Sequence, residues 1–275
     1  MCGIIGGTIE DKNIHSKLIS FIKHRGPDYD NYYKDNNILL CQTLLRIRDN
    51  ISNSIQPYFY KNLIMVFNGE IYNTEYLSKL IQNKNESKTD TEVIIKLFDL
   101  YRENMFKLLN GMFAIVIYDK NTRELFLARD MMGIKPLYYL LKNNNIYFSS
   151  ESLPLNIFDV EIDQDLYNIQ INSYFNLEQT IFKNILSFKS GHYGCYSKGK
   201  LNIYKFKTPL DLIKLNFFDN DNEEYLINHL NKILNETVQR QLETISDIKV
   251  GIICSGGLDS SLISVIASKY INKLN

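Results

Sequence analysis

Met1-Cys2-Gly3-Ile4-Ile5-Gly6-Gly7 opens the chain, and the rest of the sequence is read outward from it. Removal of Met1 would leave a thiol and a free α-amine on one residue. A thiol attacks as its thiolate, and free cysteine has a pKa of about 8.5. An α-amine titrates at about 7.7–8.0. A neutral amine on Cys2 could therefore take the thiol proton, directly or through a water, so that nucleophile and general base share one residue. Gly3 leaves room beside it for a substrate. A cysteine at position 2 carries little weight alone, and its companions decide the reading.

The apolar, β-branched run Cys2 to Ile9 reads as a first strand. Ser16 to Lys23 has helical spacing and stops at His24-Arg25-Gly26-Pro27-Asp28, a turn. Asn37 to Leu45 is strand-like. Leu63 to Phe67 is a buried strand expected to enter a sharp turn at Asn68-Gly69. Glu75 to Ile81 and Thr91 to Tyr101 are helical, the second with Thr89 or Asp90 as N-cap. Four strands follow at short spacing: Met112–Tyr118, Glu124–Ala128, Leu137–Leu141 and Ile146–Ser149, read as an antiparallel meander. Residues 152–185 read as irregular segments and short helices, and Ser190-Gly191-His192-Tyr193 as a turn into a late strand. Two sheets with helices packed outside them are expected.

Residues 206–222 read as a linker, followed by an amphipathic helix over Tyr225–Gln241 with Leu226, Leu230, Ile233 and Leu234 on one face. Val250 to Cys254 reads as a buried strand, then Ser255-Gly256-Gly257-Leu258-Asp259-Ser260-Ser261, then a helix to about Ile271. One strand–loop–helix unit cannot make a parallel sheet, whose strands are covered on both faces. The expected division is 1–205 for one domain and 206–275 for a linker, a helix and the start of a second.

The 275 residues carry equal numbers of acidic and basic side chains, so nothing suggests a polyanion binder, and no nucleic-acid partner is expected. No run of about 18 apolar residues occurs, so no membrane partner is expected either. The opening lacks the basic front of a secretory signal, and a cytoplasmic protein is expected. Of the four cysteines, Cys2, Cys41, Cys195 and Cys254, none forms a Cys-x-x-Cys pair, and neither a metal site nor a disulfide framework is expected. Cys41 and Cys254 lie in apolar stretches and read as buried packing residues.

In order along the chain stand Met1-Cys2-Gly3-Ile4-Ile5-Gly6, His24-Arg25-Gly26-Pro27-Asp28, Asn68-Gly69-Glu70-Ile71-Tyr72-Asn73, Asp90, Gly111-Met112-Phe113-Ala114, Arg129-Asp130 and Gly133-Ile134-Lys135-Pro136-Leu137-Tyr138. Together they resemble the class II glutamine amidotransferase domain, an N-terminal nucleophile hydrolase, and most closely that of the glutamine-hydrolysing asparagine synthetases. The resemblance implies an α+β fold, a four-layer αββα sandwich of antiparallel sheets. It implies a catalytic set of Cys2, Asn68 and Gly69. Cys2 would attack the side-chain amide of L-glutamine, while the Asn68 side chain and the Gly69 N–H hold the oxyanion. Glu70 and Asp90 match glutamine-binding positions, Asp90 facing the α-ammonium; its other reading is a helix N-cap. No cofactor is implied for this half.

One departure concerns the substrate carboxylate. Gln42-Thr43-Leu44-Leu45-Arg46-Ile47-Arg48-Asp49 places Leu44 where the family carries its carboxylate-binding arginine. Arg46 and Arg48 share that side of an ideal strand. Arg48, with Ile47 beside it, or else Arg46, is expected to replace the missing guanidinium. Arg25–Asp28 and Arg129–Asp130 are expected to make an internal salt bridge and a turn near the site. Gly133–Tyr138 is expected to be a structural turn or part of an interface to the second domain.

Ser255–Ser261 opens a helix after an apolar run, and glycines with free N–H groups at a helix start suit a phosphate. The stretch resembles the pyrophosphate loop of ATP pyrophosphatases, the synthetase half of the same family. The resemblance implies partial ATP binding by Cys254, Ser255, Gly256, Gly257, Asp259 and Ser260. ATP, Mg and aspartate or another acceptor are expected to act only with a complete synthetase domain, and a homodimer is a further expectation. Two rival readings remain open: a non-catalytic or regulatory amidotransferase-like module, and an amidotransferase for an acceptor other than aspartate.

Overall fold

The structure, a computed structural model, describes residues 2–9, 14–35, 37–46, 55–81, 89–172, 178–212, 222–243 and 250–271. The chain divides into two compact units, the first ending at Leu212. In chain order the first unit contains β1 (Gly3–Thr8), α1 (His15–Ile22), β2 (Tyr29–Asp35), β3 (Ile38–Leu44), β4 (Tyr58–Tyr60), β5 (Leu63–Ile71), α2 (Thr74–Leu80) and α3 (Asp90–Tyr101). It continues with β6 (Gly111–Asp119), β7 (Glu124–Arg129), β8 (Tyr138–Lys142), β9 (Asn145–Ser149), α4 (Gln164–Asn172), β10 (Ile185–Ser187), β11 (His192–Ser197) and β12 (Lys200–Lys205). The strands make two six-stranded sheets, ordered β10-β8-β9-β1-β3-β2 and β12-β11-β7-β6-β5-β4.

Strand alternation sorts the apolar side chains into layers. In the first sheet Ile5, Leu39 and Cys41 pack on Leu18, Ile19 and Ile22 of α1. Their neighbours Ile4, Ile38 and Leu40 turn the other way and meet Ile64, Val66, Ala114, Val116 and Leu127 of the second sheet. The far face of that sheet carries Met65, Phe67, Phe113, Ile115 and Ile117, which pack on Leu77 of α2 and Val93, Ile94, Leu97 and Phe98 of α3. The layers are helix, sheet, sheet, helix, as expected. Each fully buried Leu, Ile or Phe contributes about 1.5–3 kcal/mol, so these faces also fix strand register: a slip of one residue would turn every apolar side chain to the wrong layer.

The meander expected over residues 112–149 is split between the sheets. β6 pairs with β7 in the second sheet, and β8 with β9 in the first. The chain crosses between sheets through residues 130–137, where Gly133 takes φ +68°. The turn expected at Asn68-Gly69 does not form either. β5 runs through to Ile71, paired residue for residue with β6. Gly69 serves close approach instead: a Cβ there would sit 2.2 Å from the Met112 carbonyl oxygen. Strands β2, β4 and β10 lie at sheet edges, where one side of the ladder is open and the continuous apolar run that marks β3 and β5 is not required.

The second unit contains α5 (Glu223–Glu243) and α6 (Leu258–Ser268), packed through Val238, Ile266 and Ala267. The amphipathic helix forms, but Leu226, Leu230 and Ile233 are exposed. The buried strand expected over Val250–Cys254 does not form among the described residues. Ile253 is 96% exposed and Cys254 is also exposed, contrary to its reading as a packing residue. An isolated parallel strand has no ladder partner and no covered face.

Candidate active site

Cys2 stands half-buried at the head of β1. Counted by twos from Ile4, its side chain belongs to the space between the sheets. The thiol lies 3.9 Å from the Leu45 carbonyl oxygen. The Cys2 carbonyl accepts a hydrogen bond from Arg25 Nε at 3.2 Å. Arg25 is held in turn by Glu151 at 2.9 Å, and His24 meets the same carboxylate oxygen at 2.9 Å. Burial pushes the Cys2 thiol up, while the Leu45 carbonyl contact, the amino terminus and Lys135 pull it back. The room left by Gly3 is on the α1 side, against Thr43 and Ile22, and does not open the substrate space.

Asn68 follows Ile64 and Val66 on β5 and so faces the same inter-sheet space as Cys2. It lies opposite Ala114, whose small side chain leaves volume in front of it. The Asn68 Nδ2 is buried and has no hydrogen-bond partner. Such a group costs about 1–3 kcal/mol, so the fold holds an amide donor in reserve on the inter-sheet side of β5.

The neighbouring backbone is arranged to match. The Phe67 N–H donates to Gln56 Oε1 at 2.6 Å, and the Phe67 carbonyl accepts from Gln42 Nε2 at 3.2 Å. Both Phe67 groups therefore point away from β6. Two residues on, the same alternation sends the Gly69 N–H to that open edge. Phe113, opposite Gly69, agrees with this: its N–H donates to Asp130 Oδ2 at 3.1 Å and its carbonyl accepts from the Asp130 N–H at 2.9 Å.

Glu70 shares the parity of Asn68 and interacts electrostatically with Lys135. Asp90 opens α3, but Thr89 is the cap, its hydroxyl accepting from the Glu92 N–H at 3.3 Å. Asp90 Oδ1 accepts from the Thr91 N–H at 2.7 Å. Gln56 joins these parts, since its Nε2 donates to Thr91 Oγ1 at 3.4 Å while its Oε1 holds Phe67. A two-sided amide thus ties β5 to the start of α3. Gln42 and Gln56 hold the backbone next to Asn68, and sequence reading passes over both. Their signal is a long polar side chain inside or beside an apolar strand, and it becomes visible only once the strands are paired.

Leu44 is 7% exposed and shares Gln42's side of β3, so an apolar side chain faces the gap where the family's guanidinium is expected. Arg46 is exposed, and its N–H donates to Asp28 Oδ2 at 2.6 Å. Ile47 and Arg48 lie outside the described residues, as does Met1. The pairing expected within Arg25–Asp28 and Arg129–Asp130 is replaced by other partners. Arg25 pairs with Glu151. Arg129 donates to the carbonyls of Gly133, Lys135 and Phe188, each at 2.8 Å. Asp130 accepts the N–H groups of Phe113, Met132, Ile134 and Lys135. Gly133–Tyr138 is the expected turn, and it buries Lys135.

In the second unit Gly256 has φ +79° with open space where a Cβ would sit, and Gly257 is the N-cap of α6. The Ser255 N–H donates to Ser260 Oγ at 3.2 Å, and that hydroxyl donates to the Gly257 carbonyl at 3.2 Å. Asp259 lies in the first turn of α6. Cys254 lies 3.8 Å from both Ser260 and Ser261, and the Gly256 backbone holds its thiol below the ordinary value. Among the described residues no group of three or more His, Cys, Asp and Glu side chains forms a metal site.

Solved structures show where the layered arrangement of the first unit recurs. Glutamine phosphoribosylpyrophosphate amidotransferase from B. subtilis, in complex with ADP and GMP, superposes with a TM-score of 0.55 at 16% identity, covering 75% of this chain and 49% of that one. A structure described as the allosteric regulatory enzyme of purine biosynthesis gives 0.56 at 14% identity. The fold is that of the N-terminal nucleophile amidotransferases.

The chain itself belongs to the glutamine amidotransferase domain family, whose pattern matches residues 1–207. Residues 229–275 match the asparagine synthase family. Among curated proteins, asparagine synthetase (glutamine-hydrolyzing) 1 of Bacillus subtilis strain 168 is 32% identical over 98% of this chain and 44% of its own length. Asparagine synthetase B (glutamine-hydrolyzing) of Escherichia coli K12 is 29% identical over 98% of the chain and 45% of its own length. The chain thus spans a little under half of each of these relatives. No helix among the described residues is long and apolar enough to cross a membrane.

Proposed function

We propose that the first unit hydrolyses L-glutamine to glutamate and ammonia, with Cys2 as nucleophile once Met1 is removed. The observation that carries the reading is the buried, unpartnered Asn68 Nδ2 on the same inter-sheet face as the thiol. The freed α-amine takes the thiol proton. Sulfur then bonds to the side-chain amide carbon, and the carbonyl electron pair moves to oxygen, where Asn68 Nδ2 and the Gly69 N–H meet it. Collapse breaks the carbon–nitrogen bond, and the amine's proton leaves with ammonia. Water hydrolyses the thioester and restores the thiol. Asp90 holds the substrate α-ammonium, Glu70 contacts the glutamine through its backbone, and Arg48 or Arg46 holds the carboxylate. The ammonia is destined for ATP-dependent amide formation, with aspartate as acceptor by analogy to the named relatives. The loop at Cys254–Ser260 supplies the phosphate-binding part of that machinery.

Leu44 supports a second reading, a module that keeps the fold without turnover, because no guanidinium stands at its position. Glutamate release from glutamine by the purified chain, against Cys2→Ala, separates the two. Release that depends on Cys2 supports the glutaminase, and equal background from both proteins supports the module.

A further inference from the structure

Lys135 is the one buried lysine among the described residues, only 6% exposed. Removing an ammonium from water costs several kcal/mol unless other groups compensate, so its position needs a reason. Its backbone is fixed at both ends. The Lys135 N–H donates to Asp130 Oδ2 at 2.9 Å, and its carbonyl accepts from Arg129 Nε at 2.8 Å. Asp130 is fully buried and also receives the Phe113 N–H, directly opposite Gly69. Gly133 allows the bend, with φ +68° and the Arg129 guanidinium 3.2 Å from where a Cβ would sit. The crossing between sheets is therefore stapled beside the oxyanion strand. Burial pulls the Lys135 ammonium below its ordinary value, and the nearby Cys2, Asp130 and Glu70 act against that shift. The charges that face Cys2 are the amino terminus and Lys135. Arg25 opposes the ammonium, and Asp130, which accepts four N–H groups, favours it.

We propose that Lys135 is a positioning residue for the Cys2 chemistry: its buried ammonium, on a backbone fixed by the Asp130 staple, stabilises the Cys2 thiolate as it forms. This rests on the reading of Cys2 as the nucleophile. No proton passes to or from Lys135. It supplies fixed charge that offsets the desolvation acting on the thiol, while the α-amine moves the proton.

The test is the pH dependence of Cys2 alkylation by iodoacetamide in the full chain, read from the mass of the N-terminal peptide so that Cys195 and Cys254 do not interfere. An opposing charge at close range shifts an ionisable group by about one unit or more. Lys135→Met is therefore expected to alkylate Cys2 on the order of tenfold more slowly near neutral pH, with the inflection moved to higher pH. Lys135→Arg is expected to keep the wild-type profile. If Lys135→Met does not fold, Lys135→Gln makes the same comparison. A wild-type profile in either folded neutral variant overturns the proposal. So does failure of both neutral variants to fold while Lys135→Arg folds, because the charge then serves stability alone. Alkylation needs no turnover, so the outcomes separate: a Lys135-dependent profile without glutamate release would sink the glutaminase and leave the charge effect standing.

Discussion

Replacing Asn68 with alanine should separate stability from activity. In the folded chain the Asn68 Nδ2 is buried without a partner, a cost of about 1–3 kcal/mol that truncation removes. Against this, losing a few buried atoms beside Ala114 costs about 1 kcal/mol. The net effect lies between zero and about 2 kcal/mol of stabilisation. At the entropy of unfolding of a domain of this size, that leaves Tm unchanged or raises it by a few degrees. The transition state loses a donor aimed at the oxyanion, which lowers kcat by about 10²–10³, or roughly 2.7–4 kcal/mol. Thermal melts and a glutamate-release assay on the same preparation read both quantities. A fall in Tm of more than about 5 °C would mean that the amide is structurally engaged. A kcat within about threefold of wild type, well under the expected loss, would mean that it does not meet the reacting oxygen.

Three further outcomes are expected. Gln56→Leu strands the buried Phe67 N–H, costing about 1–3 kcal/mol, and frees Thr91 beside Asp90; Tm should fall and the glutamine KM rise, and a KM that stays put would detach Gln56 from the substrate side. For Glu151, burial pushes the carboxyl up, but the hydrogen bonds and charges of Arg25 and His24 outweigh it and hold the group below its ordinary value. Its contribution is thus present above the ordinary carboxylate range and lost as pH falls through the lowered value, so the melting curves of Glu151→Gln and wild type should differ near neutral pH and converge in acid; a constant difference at every pH would contradict the pairing. Arg48→Ala should raise the glutamine KM with kcat little changed, and an unchanged KM would pass the carboxylate to Arg46 or to the module reading.

The layering was legible in the sequence because the short continuous apolar runs Ile4-Ile5, Ile38–Cys41 and Leu63–Phe67 suit strands covered on both faces. The family was legible because several short motifs recur in a fixed order. The path of Asn68-Gly69 was not: an Asn-Gly pair reads as a turn by local preference, and only pairing with Met112-Phe113 shows that the glycine admits a close strand. The split of the meander was hidden for a similar reason, since strand spacing does not reveal a sheet change. Lys135 was hidden because a lysine in a Gly-Pro turn reads as solvated until Arg129 and Asp130 are seen to draw its backbone inward. Val250–Cys254 failed in the opposite direction, because its apolar pattern anticipates neighbours that the described residues do not include.

The central claim is that Cys2 becomes the amino-terminal nucleophile of a glutaminase. Intact-protein and N-terminal peptide mass analysis after incubation with a diazo-ketone glutamine analogue tests it most directly. The expected result is a chain lacking Met1 with one adduct on Cys2, prevented by excess glutamine. Retention of Met1, or an adduct confined to the exposed Cys254 and unaffected by glutamine, would contradict it.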